Sequence, residues 1–315
     1  MTPLFIPVAA YMSAVQPPEL SILLVTDTFE TMAKVLACYA DGIDRRRIEV
    51  VVSAMAGAGV SAERLQAEGF PLARVVDWAD GVMHIAEARA LGAATAPLVV
   101  FAQAHAYPRP GYVEAILAAS RDSRWTVIGP SMAHANPTTG WSRAAMWINF
   151  SHWTDAPRGV MADVAGHNSA YRREAVLALG PDALGELLEA GWQLQVELCA
   201  RGGCCFLEPA ACVEITTPSR SASFLRAYWD LGRRSAAQRG RHWSRTRRFV
   251  YGCASPLVPF IRLSRLVRDG LSRRHAHRSW SLLPVMMLGL TASAAGEAVG
   301  YLVGQGTRSR FVHAD

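Results

Sequence analysis

Two polar side chains, Gln103 and His105, follow an apolar run in the middle of the sequence. The run Pro97–Phe101 is short and continuous, which predicts a strand that is buried on both faces. Prolines and a glycine then break the strand, and a helical pattern begins at Tyr112. Because ligands of open parallel sheets bind beyond the carboxyl ends of the strands, we expect chemistry at Gln103 and His105. The His105 imidazole could also bind a metal ion.

A second candidate segment lies within residues 164–176. Gly166 permits a turn or a close approach of the backbone to a ligand, and His167 and Asn168 add hydrogen-bonding groups. If His167 lies near His105, the two imidazoles could complete a metal or diphosphate site. The alternative is that His167 is a structural loop histidine.

Strands and helices must position these residues, and their patterns alternate along the chain. Besides the central run, the predicted strands are Ser21–Thr26, Ile48–Val52, Ala73–Asp77 and Trp125–Pro130. Helical patterns cover Thr31–Tyr39, Ala62–Glu68 and Ile85–Ala94. This alternation predicts an α/β fold, with a mostly parallel sheet flanked by helices.

Over roughly residues 20–215, the chain resembles the family 2 glycosyltransferases, which have the GT-A fold. The matching residues are Ala88, Arg89 and Gly92 before the central strand, Pro108, Pro110, Gly111 and Tyr112 after it, and His167, Asn168, Tyr171, Arg172 and Arg173 further on. The chain departs from the family where an Asp-x-Asp motif would bind metal, because these positions are Gln103 and Ala104. The resemblance implies a GT-A-like domain and a nucleotide-sugar donor. It also implies a divalent metal, Mg²⁺ or Mn²⁺, for which His105 is the candidate ligand.

The resemblance also implies a catalytic base, which the family takes from a Glu-Asp pair. By spacing, that pair falls on Leu194 and Gln195, and a glutamine side chain cannot accept a proton from an acceptor hydroxyl. Either a nearby glutamate substitutes, with Glu189 and Glu197 as candidates, or the usual chemistry is absent. Glu197 has the family's spacing but is equally compatible with a carboxylate on a helix surface.

For donor binding, Asp27 is the nearest acidic candidate for a contact with the base or ribose, because the second strand lacks the family's Asp. The alternative is a turn or helix-capping role for Asp27. The departing diphosphate would be stabilised by His105, His167 and Arg172.

Charge divides the chain into an acidic first part and a strongly basic second part. The net charge is +6, and residues 220–278 carry fifteen Arg against two Asp, which leaves −7 on the first 219 residues. Such a basic block suggests an anionic partner, either lipid or nucleic acid. In Pro256–Leu271, the spacing of Arg262, Arg265 and Arg268 puts them on one face of a helix, which suits a helix lying on anionic lipid. A solvated basic helix is the alternative. Since no recognition motif accompanies the charge, we expect no nucleic-acid partner.

The last apolar stretch, Leu282–Val303, is long enough for a roughly 30 Å hydrocarbon core. We expect it to insert into or lie on a membrane, although Glu297 is costly in lipid unless it is paired. Folding back onto the domain is the alternative. The predicted organisation is a loose leader over residues 1–20, a nucleotide-sugar domain over 21–217 and a basic helical region over 218–315.

Two functions fit these observations. The first is a membrane-associated glycosyltransferase at the cytoplasmic face of the cell membrane, with a cell-envelope or lipid-linked acceptor. The second is an inactive GT-A scaffold that binds a partner at the membrane.

Overall fold

The computed structural model describes residues 17–78, 82–190, 192–271 and 280–304. The leader predicted over residues 1–20 therefore lies almost wholly outside the described residues. The strands are β1 (Leu20–Thr26), β2 (Ile48–Ala54), β3 (Ala73–Asp77), β4 (Leu98–Ala102), β5 (Ala106–Pro108), β6 (Val127–His134), β7 (Gly159–Met161), β8 (Ala170–Arg172) and β9 (Cys205–Ile215). The helices are α1 (Phe29–Tyr39), α2 (Ala62–Ala67), α3 (Met83–Ala93), α4 (Tyr112–Ser120), α5 (Gly140–Phe150), α6 (Arg173–Leu177), α7 (Pro181–Ala190), α8 (Trp192–Ala200), α9 (Ser221–Arg239), α10 (Arg245–Ala254), α11 (Val258–Leu271) and α12 (Leu283–Val303).

One sheet joins these strands in the order β3-β2-β1-β4-β8-β6-β9-β5, and β7 pairs with β9. Strands β1 to β4, β6 and β9 run in one direction, whereas β5, β7 and β8 run in the other. The predicted α/β class with a mostly parallel sheet is confirmed. We call the edge where the strands β1 to β4 end the carboxyl edge of the sheet.

Helices cover both faces of the sheet, which explains why β1 is apolar along most of its length. Ile22 and Leu24 point into a core that includes α1 and α4, while Leu23 points into a second core with α3, α7 and α8. The strands are thus held on both sides, and their carboxyl ends form a rigid edge on which loops can place functional groups.

The apolar helix α12 packs closely against α9. Gly296 makes this approach possible, because a Cβ atom there would lie 2.2 Å from the carbonyl oxygen of Trp229. Gly289 likewise lies under the rings of Phe224 and Tyr228. Trp280–Val303 is long and apolar enough to cross a bilayer by length and composition, and it is the candidate membrane-associated element among the described residues. One side of α12 nevertheless serves as a packing surface for α9.

Glu297 of α12 is buried but paired. Its carboxylate accepts a hydrogen bond from Nη2 of Arg262 at 2.7 Å, and Nη2 of Arg239 lies 3.2 Å away. The expectation that Arg262 shares an outward face with Arg265 and Arg268 is therefore wrong. Arg262 turns inward because the buried carboxylate requires a counter-charge, whereas Arg265 and Arg268 are exposed.

We expect the substitution Gly296→Val to destabilise the protein by about 3 kcal/mol, because the larger side chain meets the backbone of α9. Ala295→Val, at the neighbouring exposed position of the same helix, is the matched control. Chemical denaturation measures both variants. Equal stability of the two would contradict the close contact of α9 and α12.

Candidate functional site

A tight turn carries Gln103 and His105 away from the carboxyl end of β4. The amide of Ala106 donates to the carbonyl of Gln103 at 3.2 Å, and the amide of Thr216 donates to the carbonyl of His105 at 3.0 Å. These bonds fix the turn against the chain that leaves β9. Oε1 of Gln103 is buried and has no hydrogen-bond partner among the described residues. An orphaned buried acceptor of this kind indicates a place for a polar ligand.

The segment Val164–Ser169, which precedes β8, is attached to the same strand end through Asn168. The amide of Asn168 donates to the carbonyl of Phe101 at 2.8 Å. The Asn168 backbone is left-handed, with φ of 57°, and its side chain is fully buried. Tyr39 Oη donates to Asn168 Oδ1 at 2.9 Å, and Tyr112 Oη donates to the Asn168 carbonyl at 2.5 Å. Asn168 is thus a structural anchor, although its Nδ2 has no partner among the described residues.

Gln195, at the position where the family resemblance puts the base, holds the other end of this segment. Its Oε1 accepts from the amide of Val164 at 3.0 Å, and its Nε2 donates to the carbonyl of Ala165 at 3.3 Å and to Tyr171 Oη at 3.1 Å. Tyr171 Oη in turn donates to the carbonyl of Gly166 at 2.7 Å. A carboxylate in this position could not donate to these oxygens. The amide therefore serves to position the segment.

The structure brings His105 and His167 together at this edge. Burial lowers the pKa of His105, and burial together with the charge of the nearby His105 lowers the pKa of His167 to about 4. Both imidazoles are therefore neutral near pH 7 in the empty site. His167 packs edge-on to the ring of Phe150 at 6.1 Å, and its Nε2 has no hydrogen-bond partner among the described residues.

A hollow of about 660 Å³ opens at the carboxyl ends of β2 and β3. It is lined by residues 54–61 and 75–77, with the Asp77 carboxylate at its exposed rim. Gly57 bends this lining loop with φ of 86°, a conformation that favours glycine. Strand β1 lies between β2 and β4, so the ends of β2 and β4 are about 10 Å apart, or two strand spacings. Asp27 follows β1 and is half-exposed between the two.

The structure does not bring Arg172 to this edge. Arg172 pairs with Leu98 at the amino end of β4. Its guanidinium donates to the carbonyls of Ser120, Asp122 and Trp125 at 2.9, 3.0 and 2.8 Å. These bonds tie the end of α4 to the sheet, far along β4 from the histidines.

The two candidate catalytic glutamates also lie in ion pairs away from the histidines. Glu197 Oε1 accepts from Nε of Arg201 at 2.8 Å, and Arg201 reaches the carbonyl of Ala178 near the amino edge. Glu189 lies 3.0 Å from Nη2 of Arg241 in the basic region. Neither glutamate comes next to the His105 turn in the fold.

Sequence reasoning missed two acidic residues, Asp77 and Glu87. Asp77 is the last residue of a correctly predicted strand. Asp27 was chosen as an acidic residue at a strand end, and the same criterion could have found Asp77. Glu87 lies on α3, and burial raises the pKa of its carboxyl to about 8. The negative charge of Glu87 is one of the interactions that raise the pKa of Tyr171, so Glu87 lies near Tyr171. The helical pattern gave no signal that this glutamate would face inward.

The chain resembles several solved structures. The mannosyltransferase PcManGT from Pyrobaculum calidifontis, in complex with GDP-Man and Mn²⁺, superposes with a TM-score of 0.55 and 17% identity, covering 90% of this chain and 87% of that one. The chain has a GT-A-like fold. S. aureus TarS 1–349 gives a TM-score of 0.46 at 13% identity, with 90% of each chain covered. GalNAc-T7 with UDP, GalNAc and Mn²⁺ gives 0.46 at 11% identity, with 63% of this chain and 43% of that chain covered. No protein-family model and no curated protein sequence matches the chain.

We expect Asn168→Ala to lower the free energy of unfolding by about 3 kcal/mol. Alanine is strained in the left-handed backbone conformation of this position, and the Tyr39 hydroxyl loses the acceptor Oδ1. Asn168→Gly keeps the backbone conformation and should cost about 1 kcal/mol less. Chemical denaturation of the two variants separates the backbone effect from the side-chain effect. If both retain wild-type stability, Asn168 is not the anchor.

We expect the His167 imidazole to titrate near pH 4 in the metal-free protein, as followed by NMR. The unfolded chain takes up this proton near pH 6.5, so it binds more protons than the folded chain between these values. The free energy of unfolding should therefore fall, by at most about 3 kcal/mol, as the pH drops from 6.5 to 4. The variant His167→Gln identifies the NMR signal of His167 by its disappearance. It should also remove this part of the pH dependence of the free energy of unfolding. A midpoint near 6.5 would show that the ring is solvated.

Proposed function

We propose that this chain is a glycosyltransferase that binds a nucleotide-sugar donor along the carboxyl edge of its sheet. The observation that carries the proposal is the row formed by the hollow, Asp27 and the two histidines on adjacent strand ends. The GT-A-like fold supports it, since PcManGT, with the same fold, is a mannosyltransferase whose structure contains GDP-Man.

In this proposal, the donor's base occupies the hollow and its diphosphate lies at the histidines. Asp77 accepts a hydrogen bond from the base, and Asp27 accepts from the ribose hydroxyls. His167 Nε2 and Gln103 Oε1, which have no hydrogen-bond partner within the described part of the chain, face a phosphate oxygen and a sugar hydroxyl. A donor in this position would satisfy both buried groups.

During transfer, the bond between the anomeric carbon and the phosphate oxygen breaks while the acceptor oxygen bonds to that carbon and gives up its proton to water. The departing diphosphate then gains negative charge. The imidazoles of His105 and His167 donate N–H groups to it, and the neighbouring anion favours their protonated forms. Charge is thereby stabilised where it develops.

The residues present do not fit a divalent metal. Among the described residues, no group of three or more His, Cys, Asp or Glu side chains could hold one. Gln103 and Ala104 stand at the family's acidic positions, which leaves His105 without carboxylate companions, whereas Mg²⁺ and Mn²⁺ prefer oxygen ligands. The Mn²⁺ in PcManGT is therefore not transferred to this chain, and the proposed reaction uses no metal.

We place the enzyme on the cytoplasmic face of the cell membrane, with a cell-envelope or lipid-linked acceptor. The arginine-rich helices and the apolar α12 support this location, because such a combination suits an anionic lipid surface. In this proposal, the base of the donor is bound at β2 and β3, within the predicted nucleotide-sugar domain.

We expect His105→Ala to weaken nucleoside-diphosphate binding about tenfold, because it removes a hydrogen bond to a charged group. Isothermal titration calorimetry with GDP and UDP measures the effect. His242→Ala, at an exposed histidine of the basic region, is the matched control and should bind as the wild type does. If His105→Ala binds GDP and UDP as tightly as the wild type does, His105 does not contact the diphosphate.

A second function, a catalytically inactive scaffold, is favoured by one observation. Gln195 stands at the expected base position and is engaged in three hydrogen bonds that position a loop. Hydrolysis of a panel of nucleotide sugars distinguishes the two functions, because glycosyltransferases commonly transfer slowly to water. Nucleotide binding without any turnover would support the scaffold.

A further inference from the structure

Exposed apolar side chains gather where α10 meets α11. Phe249 is 60% exposed, Leu257 61% and Phe260 65%, and Val250 and Ile261 are also exposed. The turn Ser255–Leu257 joins the two helices, so all five residues lie within positions 249–261 on either side of this turn. We call these five side chains the elbow. Single exposed apolar residues are ordinary, but five around one turn indicate a contact surface.

Positive charge flanks the elbow on both helices. Arg245 and Arg247 are exposed in the first turn of α10, and Arg265 and Arg268 are exposed in the second half of α11. No acidic residue occurs between Arg245 and Arg268 in the sequence. The surface thus has an apolar tip between two cationic ends, and the acidic residue of these two helices, Asp269, lies beyond Arg268 in the last turn of α11.

The opposite face of α11 is already occupied. Leu263 and Leu266 pack against the cluster that contains Ala144 and Ala145 of α5, and Arg262 is paired with Glu297. The elbow side chains are therefore not needed for the contact between α11 and the rest of the protein. Helix α12 packs on α9 along one side and keeps Leu288, Leu302 and Val303 exposed on the other. The elbow differs from that surface in having exposed arginines on both flanks.

We infer that the elbow binds a bilayer that contains anionic lipids. Phe249, Leu257 and Phe260 enter the boundary between headgroups and acyl chains, and the flanking arginines contact the lipid phosphates. Charge complementarity selects this partner, because the arginines match an anionic headgroup layer and the apolar tip matches the chains beneath it. The inference rests on the proposed membrane association and assigns it to α10 and α11 instead of a membrane-spanning α12.

The same helix connects this surface to the candidate site. Helix α11 contacts the turn Ser151–Trp153, and the preceding residue, Phe150, packs against His167. A bilayer bound at the elbow would therefore be connected to His167 through α11, the Ser151–Trp153 turn and Phe150.

Vesicle flotation of the purified full-length chain tests the inference. Vesicles of phosphatidylcholine are compared with vesicles that also contain phosphatidylglycerol. We expect binding only to the anionic vesicles, decreasing at high salt. Leu257→Ser/Phe260→Ser should weaken binding about tenfold. The double variant Arg265→Gln/Arg268→Gln should weaken it about twenty-five-fold, from a loss of about fivefold per arginine.

Val160→Ser is the matched control, because Val160 is also 65% exposed but lies on β7. This variant should bind vesicles as the wild type does. Failure of the wild type to bind, or equal binding by the elbow variants, would overturn the inference. Binding to a single-stranded RNA homopolymer in place of vesicles would overturn it in favour of nucleic acid.

Calorimetry with GDP and UDP on the same samples separates this inference from the proposed function. The elbow variants should keep wild-type nucleotide affinity while they lose vesicle binding. If the wild-type protein binds vesicles but binds neither GDP nor UDP, the inference about the elbow holds and the proposed donor site is wrong. Loss of both vesicle binding and nucleotide binding in an elbow variant would indicate misfolding. The single substitutions Leu257→Ser and Phe260→Ser then decide the inference. Each is expected to lose less vesicle binding than the double variant and to keep nucleotide binding.

Discussion

Asn168 holds the two parts of the candidate site in one place. Its backbone amide and carbonyl bond to Phe101 and Tyr112, and its side-chain Oδ1 accepts from Tyr39, so one residue is bonded to three elements. Its left-handed backbone turns the chain immediately after His167. Because these bonds fix the Val164–Ser169 segment to the end of β4, His167 lies beside His105. The site therefore depends on a residue whose main contacts are in the core.

Burial also determines the electrostatic character of the site. A pair of carboxylates at the end of β4 would carry negative charge and attract a divalent cation. The chain instead has an amide at Gln103 and two imidazoles, whose pKa values are lowered by desolvation. Such a site has little charge of its own. Without carboxylate ligands among the described residues, it is a poor match for Mg²⁺ or Mn²⁺, which prefer oxygen ligands.

In the helical region, a buried charge and small residues decide how an apolar helix is used. Glu297 is matched by Arg262 and Arg239, which draws α11 and the end of α9 onto α12. Gly296 lets the backbones of α9 and α12 approach closely. Packing on α9 therefore accounts for one side of α12, while Leu288, Leu302 and Val303 stay exposed on the other. The exposed apolar residues of the elbow are not explained in this way.

Local patterns in the sequence determined the strands, most helices and the α/β class, because apolar runs and turn residues report on burial and backbone conformation directly. They also located the turn after the central strand, since ligands of parallel sheets bind at the carboxyl ends of the strands. The polar residues of the His167 segment marked it as a candidate, and it reaches the same edge because it precedes the antiparallel strand β8. Only the tertiary structure decided which side chains meet there. It placed Arg172 at the amino end of β4, put Glu197 and Glu189 in ion pairs elsewhere, and brought Asp77 to the rim of the hollow. The physical reason is that side-chain partners and burial depend on which elements pack together, and such contacts join residues too far apart in the chain for a local pattern to record.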